Sequence, residues 1–484
     1  MSNIFKDLFI LDLANNHFGD IKHAKKIIKK FSEVAKKNKV KAAIKFQLRD
    51  YDTYIHNSYI NSENNYVRRF LDTKLSILEF KELFKYVKKN KLLTACTPFD
   101  ENSIKVIEQF KFDILKIASV SSNDFTLLNR AVKNKIPKII STGGLNLFEI
   151  DKIARIMKKH KQNFSLMHCI AIYPSNNSDL QISFIKSLKK RYPDVPIGWS
   201  THEEPKAFMP SSLAKACGAE MFERHIGINS KKYKLNKYSM EPKVFQDFLN
   251  NLKNVNMILS YNNDENKVIT KKESMTLQTL QRGLYAKNNL KKGTILDDKN
   301  SYLAFPLQKN QMPANKIKKG MILKKSHKKD QSILIKSIKY NSEIIKELEI
   351  WNHVHNVRGI LNENNIAIGD KFEMEISHHK GLKNFHKVGC YLFNLINKEY
   401  AKKIIVMLPN QMHPVHHHKI KAETFHILSG NLLLTLDGKI KNLKQGDVID
   451  IKRNSLHKFK AGPKGCIFDE ISTRNIKQTL IIKV

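Results

Sequence analysis

Cysteine is scarce in this chain: five in 484 residues, at Cys96, Cys169, Cys217, Cys390 and Cys466. That spacing excludes a disulfide framework and a zinc knuckle, and it reads as reduced thiols in the cytoplasm. Long apolar runs are missing too. Asp12 interrupts the stretch that begins at Leu8, nothing nears the ~20 residues of a membrane span, and no basic leader with a cleavage site follows the start. Membrane insertion is therefore not expected. Acidic residues are few, 45 against 85 Lys and Arg, leaving a formal net charge of +40. A phosphate backbone rewards such an excess through counterion release. Here the excess is mostly lysine scattered on helical faces, such as Lys22, Lys25, Lys26, Lys29 and Lys30, without interleaved aromatics. It reads as a coding bias toward AT-rich codons, so no nucleic-acid partner is expected, although a cationic surface favours an anionic substrate.

What is present is enough apolar material, 41% of residues, for two or three domains. Short β-branched runs recur through the first half: Leu8–Ala14, Ala42–Gln47, Leu92–Thr97, Ile114–Ser119, Lys138–Ser141, Phe164–Cys169, Pro196–Ser200 and Glu220–His225. Amphipathic helical stretches separate them. After the first, Asp20 can cap a helix whose Ile21, Ala24, Ile27, Ile28, Phe31 and Val34 share one face. Eight strand-then-helix units predict an α/β fold, a parallel (β/α)₈ TIM barrel.

Polar residues gather at the C-terminal ends of these runs: Asn15, Asn16 and His17; Lys45 and Gln47; Thr97; Lys116 and Ser119; Ser141 and Thr142; His168; Ser200 and His202; Glu223 and His225. In a barrel those ends share one rim, where active sites form. Lys45 and Lys116 can neutralise a phosphate or carboxylate. Ser119, Ser141, Thr142 and the backbone of Gly143-Gly144 can donate hydrogen bonds to it. His202 and His225 suit a divalent metal with open positions.

Taken in order, Asn16-His17-Phe18-Gly19-Asp20, Lys45-Phe46-Gln47, Thr97-Pro98-Phe99-Asp100, Leu115-Lys116-Ile117-Ala118-Ser119, Ser141-Thr142-Gly143-Gly144, His168-Cys169 with Tyr173-Pro174, Gly198-Trp199-Ser200-Thr201-His202 and Glu223-Arg224-His225 resemble the N-acetylneuraminate (sialic acid) synthase family. The resemblance implies an enzyme that condenses phosphoenolpyruvate with an amino-sugar aldehyde. It implies that Lys45, Thr97, Lys116, Ser119, Ser141 and Ser200 hold phosphoenolpyruvate, and that His202 and His225 bind a manganese-like ion, Mn²⁺ or Mg²⁺. Gln47 and Tyr173 fall where the family lines its sugar pocket. Asp12 replaces the family's Glu, keeping a carboxylate on a shorter arm. Ala171 replaces a Ser or Asn, and Asn236 is the nearest candidate for an acidic residue that is absent before Ser239. These departures fall on the sugar side, so the expectation is a different acceptor, a 6-deoxy or diacetamido hexose.

The resemblance continues past the expected barrel domain (1–262). Tyr261 to Asn266 reads as a linker. Gln281-Arg282-Gly283-Leu284-Tyr285-Ala286, Lys291-Lys292-Gly293-Thr294-Ile295-Leu296 and Lys318-Lys319-Gly320-Met321-Ile322-Leu323 resemble the small antifreeze-like (SAF) domain of sialic acid synthases, expected over 273–336. In the family that domain closes the site of a dimer partner with an Arg before a Pro. Phe305 stands before Pro306 here. The implied assembly is a homodimer.

From about Ser342 the sequence reads as short strands and turns, a domain expected over 342–484. His416, His418, Glu423 and Gly430 carry the spacing of the first cupin motif, and Gly446, Asp447 and His457 that of the second, with Lys452 and Asn454 replacing a Pro and a Gly. A small β-barrel of this kind gathers His416, His418, Glu423 and His457 around a divalent metal. His378, His379 and His386 can join that site or sit in exposed turns, and His413 and His417 can mimic a cluster. Such a domain is an isomerase or epimerase, a sugar-binding module or a support for the oligomer. The competing readings of the whole chain are another phosphoenolpyruvate-dependent sugar acid synthase, or a sugar-binding scaffold whose cupin is the active part.

Overall fold

A computed structural model of the chain describes residues 4–259, 267–369, 372–473 and 480–482. The expected linker Tyr261 to Asn266 lies outside the described residues. The chain divides into two units, Met1–Val268 and Ile269–Val484.

In the first unit β1 (Leu8–Asp12), β2 (Lys41–Leu48), β3 (Leu93–Pro98), β4 (Ile114–Ile117), β5 (Lys138–Ser141), β6 (Phe164–Cys169), β7 (Ile197–Ser200) and β8 (Met221–His225) close into a barrel in sequence order. All eight expected strands are present. The first helix between them starts and stops where its chemistry says. Ile21–Asn38 begins at Asp20, whose carboxylate accepts from the N–H groups of Lys22 and His23 at 2.8 and 3.1 Å. It buries Ala24, Ile27, Ile28, Phe31 and Ala35 and ends at Lys39 in the left-handed region.

Strand alternation sorts the side chains into two layers. Phe9, Leu11, Ile44, Phe46, Cys96, Leu115, Ile140 and Trp199 face the helices in the large core. Leu8, Ile10, Ala43, Ala95, Ile114, Ile139, Met167 and Met221 plug the barrel interior with Phe5. Gly198 continues that inner set on β7, where a Cβ would meet Met167 Cε at 2.8 Å and Met221 Cβ at 3.1 Å. The next inward position is polar on seven of the eight strands, Asp12, Lys45, Thr97, Lys116, Ser141, Ser200 and Glu223, and is Cys169 on β6. The apolar plug therefore forms the floor of a polar chamber at the C-terminal mouth.

The second unit begins with a small β module. It pairs β9 (Gly283–Ala286) with β10 (Ser301–Ala304) and β11 (Met321–Leu323) with β12 (Ile338–Tyr340), around Leu284, Leu290, Met312, Met321 and Ile333. Ser342, expected to open a run of strands, instead starts a helix to Glu363. Asn341 caps it, and its apolar residues Val357 and Leu361 dock on Phe385, Tyr391 and Phe393. Tertiary burial of that face decides the helix.

Beyond it, β13 (Glu373–Ser377), β14 (Cys390–Asn397), β15 (Tyr400–Met407), β16 (Met412–His418), β17 (Glu423–Leu436), β18 (Lys439–Lys444), β19 (Val448–Ile451), β20 (His457–Thr473) and β21 (Leu480–Ile482) form an antiparallel β-rich fold. Phe425, Ile427, Leu432, Leu434, Phe459 and Phe468 fill it. Asn454, at a position where the motif has Gly, adopts φ 65°. Asn tolerates that region, and its N–H donates to the carbonyl of His418 at 2.7 Å, tying the second motif to the first.

Candidate active site and metal centre

In the barrel, β1 lies between β2 and β8, with Asp12 in register with both Lys45 and His225. Lys45 Nζ sits 2.9 Å from Asp12 Oδ2 and 3.1 Å from Glu223 Oε1. Lys116 Nζ reaches the same Glu223 oxygen at 3.3 Å and donates to Ser141 Oγ at 2.6 Å. Ser200 Oγ donates to Glu223 Oε1 at 3.1 Å. Glu223, which the sequence marks as a polar strand end and part of a motif without a role of its own, is the hub. Its second oxygen and Thr97 Oγ1 are buried with no hydrogen-bond partner among the described residues. Burial raises the cost of the Glu223 carboxylate, but Lys116 and Lys45 outweigh it and hold the group well below the usual range. Burial likewise opposes the Lys45 ammonium, and Asp12 and Glu223 reverse the shift upward. At Lys116 burial prevails over Glu223 and the pKa falls.

Beside this cluster His202 and His225 stand with ring centroids 5.2 Å apart. Burial first, and then His225, lowers His202 to about 2. Burial also lowers His225, so both rings are neutral and able to ligate. His202 Nδ1 faces the carbonyl of Ile170 at 3.2 Å, an arrangement that leaves Nε2 as the free lone pair. His225 Nε2 lies 3.4 Å from Asp12 Oδ2. Two neutral imidazoles and a carboxylate oxygen fit a divalent cation with positions left for substrate and water.

Tyr173 stacks near His202 at 4.0 Å. Tyr238, which the sequence reading missed, touches all three rings at 5.2 to 5.6 Å. The chain offered no signal for it beyond its nearness to Asn236. Gln47 faces the same mouth and accepts from Arg49. Asn236 accepts from the N–H of Tyr238 at 3.1 Å and lines a cavity with Asn16 and Arg69. Ser119 starts a short turn packed on Gly143, where a Cβ would lie 2.6 Å from its Oγ. Thr142 donates to the carbonyl of Met167 at 3.3 Å.

His168 does not join them. Its strand parity turns it outward, where Nε2 meets the carbonyl of Leu180 at 3.1 Å and the ring rests on Trp199 and Phe184. The expectation that His168 stands at the rim with His202 and His225 is corrected accordingly.

In the second unit the pairing of His416 with His457 across β16 and β20 brings His416, His418 and His457 together, with ligand atoms all within 4.8 Å. Among the described residues this is the one group of three or more such side chains that close. Glu423 Oε1 lies 3.1 Å from His418 Nε2, and Oε2 lies 3.3 Å from His457 Nε2. These separations match those of neighbouring ligands on one ion. His416 Nδ1 faces the carbonyl of Pro414 at 3.0 Å, which again leaves Nε2 free. Burial and then His457 lower His416 to about 3.

Lys421 Nζ, buried, sits 2.5 Å from Glu423 Oε1 and pairs with Glu470. No sequence motif marked it. His379 and His413 face each other through Nε2 atoms 3.0 Å apart. His378 and His386 are exposed, and His417 is on the opposite face of β16 from His416 and His418.

Residues 32–264 match the NeuB family, and 403–466 match the cupin domain. The crystal structure of spore coat polysaccharide biosynthesis protein E from Chromobacterium violaceum aligns with TM-score 0.64 and 33% identity, over 69% of this chain and 100% of that one. This chain belongs to the NeuB family. Other NeuB relatives include the N,N'-diacetyllegionaminic acid synthase of Campylobacter jejuni, 26% identical over 68% of this chain and 99% of its own length. The human N-acetylneuraminate-9-phosphate synthase is 26% identical over 59% of this chain and 80% of its own. The cupin match adds a second domain family to the NeuB barrel.

Proposed function

We propose that the barrel makes a sialic-acid-type nonulosonic acid from phosphoenolpyruvate and the open-chain aldehyde of an N-acetylated amino hexose. The observation that carries this reading is the convergence of Lys45 and Lys116, two buried ammoniums, on the one carboxylate of Glu223, with the hydroxyls of Ser141 and Ser200 beside it. Such a cluster accepts a small, highly charged anion by exchanging its internal partners for the ligand's oxygens. The names of the NeuB relatives supply the reaction class.

Lys45, Lys116, Thr97, Ser119, Ser141, Thr142 and Ser200 then bind the phosphate and carboxylate. C3 of phosphoenolpyruvate forms the new bond to the aldehyde carbon, whose oxygen takes up a proton. Water adds at C2, and cleavage of the C2–O bond releases phosphate and leaves the 2-keto acid. The fixed ammoniums stabilise the charge that develops without reorganising. Asp12 holds Lys45 and His225 in place. His202 and His225 would hold Mn²⁺ or Mg²⁺, which supplies polarisation of the aldehyde when bound. Gln47, Tyr173 and Asn236 orient the sugar. The same reading takes 1–262 as the synthase domain, 273–336 as an antifreeze-like module and 342–484 as a metal-binding cupin, in a cytoplasmic homodimer.

The test is a phosphate-release screen with phosphoenolpyruvate, a divalent metal and a panel of N-acetylmannosamine, its 6-deoxy and diacetamido analogues and phosphorylated aldoses. Lys116→Ala should lower release at least ~100-fold, and His416→Ala should leave it in place. No release with any sugar, or full activity in Lys116→Ala, overturns the reading.

A further inference from the structure

Arg49 lies two residues beyond Gln47 as β2 leaves the barrel, on the side of the chain shared by Lys45 and Gln47. It is 8% exposed. Nη2 donates to Gln47 Oε1 at 3.2 Å. Burial lowers its pKa, and the phenols of Tyr54 and Tyr51, a side-chain hydrogen bond with Tyr54 and then Asp12 oppose this. Nε is buried without a partner among the described residues. The guanidinium lies 3.7 Å from the ring centroid of Phe99 and 4.0 Å from that of Phe70. Ring stacking covers the faces of the fork and leaves its N–H edge as the polar surface. A charge this buried normally has a carboxylate partner, and among the described residues none is in ion-pair range.

A second observation lies on the helix Asn65–Asp72, which supplies Phe70. Its Arg68, which is ion-paired with Glu63, and Arg69 line a cavity with Asn16, Lys234 and Asn236, where Asp72 is the only acid among the described lining residues. Arg69 is near enough to act on His225, behind the larger effect of burial. Arg69 and Lys234, which have no ion-pair partner among the described residues, make the mouth of the chamber on this side cationic.

Distance fits as well. Four residues of strand separate Lys45 from Arg49, roughly 13 Å. An extended six-carbon chain spans roughly 6 Å, so a sugar held by its aldehyde near His225 ends within reach of a long side chain at the mouth.

We propose that Arg49 clamps an oxyanion on the far end of the acceptor, so that the amino hexose carries a phosphate ester or a carboxylate at the carbon most distant from its aldehyde. This rests on the synthase reading above, and it replaces the neutral acceptor expected from the sequence. A planar fork recognises either oxyanion in two parallel hydrogen bonds.

The experiment compares kcat/KM for N-acetylmannosamine, its 6-phosphate and its 6-carboxylate in the full-length protein and in Arg49→Leu and Arg49→Lys. The expected result is a preference of about 10- to 100-fold for one anionic sugar, with the two anionic arms identifying which. In Arg49→Leu the anionic-to-neutral ratio should fall toward one, chiefly through KM, and Arg49→Lys should recover part of it. Equal use of neutral and anionic sugars by the native protein, or an unmoved ratio in both variants, overturns the proposal and leaves the synthase reading standing. Calorimetric binding of N-acetylmannosamine 6-phosphate and the 6-carboxylate without phosphoenolpyruvate decides for or against the clamp even if no sugar turns over. Binding of either that weakens in Arg49→Leu supports the clamp, and binding that is absent or unchanged refutes it. Thermal melts of both variants verify that each is folded.

Discussion

Lys45 Nζ lies 3.1 Å from Glu223 Oε1, joining two strands that flank β1 at the level where the barrel floor turns from apolar to polar. Lys116 shares that oxygen at 3.3 Å, so among the described residues Glu223 is the one carboxylate paired with both of these almost wholly buried ammoniums, while Asp12 pairs with Lys45 alone. Glu223→Gln removes the charge and keeps the shape. Breaking a buried pair on one side costs about 3 to 5 kcal/mol, so the variant should melt well below the native protein. Phosphoenolpyruvate brings its own negative charge, and it should raise the melting temperature of the variant more than that of the native protein. A melting curve for the variant that matches the native one, with and without ligand, contradicts this account of the site.

His17 makes a stability prediction in pH. Burial, reinforced by His23, lowers it from 6.5 to about 4, and its Nδ1 accepts from the N–H of Gly19 at 3.1 Å, which requires the neutral ring. Between those two values the unfolded chain binds the proton and the folded chain does not. Stability from this group is thus intact above pH 6.5 and lost as pH falls toward 4, by about 3 kcal/mol. Other buried neutral histidines share the window. Asn offers an oxygen close to the position of Nδ1, so His17→Asn should flatten the decline by His17's share in denaturant unfolding at pH 7, 6, 5 and 4. An identical slope in the variant sinks the assignment.

Gly198 is a test of the barrel plug. The Cβ of Gly198→Ala would press on Met167 Cε, which can swing away, and on Met221 Cβ at 3.1 Å, which is fixed by its strand. The expected cost is about 1 to 3 kcal/mol in denaturant unfolding, with a cost near zero showing that the interior is looser than described.

The barrel was legible because β-branched runs and helical faces alternate without interruption, and because inward parity puts Asp12, Lys45, Lys116, Ser141 and Ser200 on one side of their strands. The same parity rule excludes His168, but applying it needs the register of the strand, which a run of apolar residues on both faces does not reveal. Glu223 as hub was hidden for another reason. Its importance comes from three partners on β2, β4 and β7, and no spacing along the chain encodes that meeting. The helix Ser342–Glu363 was lost because only Val357 and Leu361 are buried on it, too few to give a face. Lys421 lies inside a motif whose pattern leaves its position free.

Lys421 is also where the C-terminal site can be tested apart from any reaction. Its ammonium stands between Glu423 and Glu470. Burial opposes the charge, but those two carboxylates outweigh it and raise the pKa. Glu423 must therefore serve a lysine and a metal at once, and a nearby unit of positive charge works against any divalent ion held by His416, His418 and His457. Lys421→Met removes that opposition while filling a similar volume. Metal affinity by calorimetry should rise about tenfold or more, since a unit charge a few ångströms from a divalent ion is worth over a kilocalorie per mole even at high effective dielectric. The metal-free variant should melt lower, because among the described residues Glu470 keeps only Lys403, at 3.7 Å, and two buried carboxylates then face one another. Added metal should restore the loss. His416→Ala is the control, expected to lower affinity in both backgrounds by about 10- to 100-fold. If Lys421→Met binds metal more weakly than the native protein, the lysine supports the ligand set instead of competing with it, and the electrostatic argument fails.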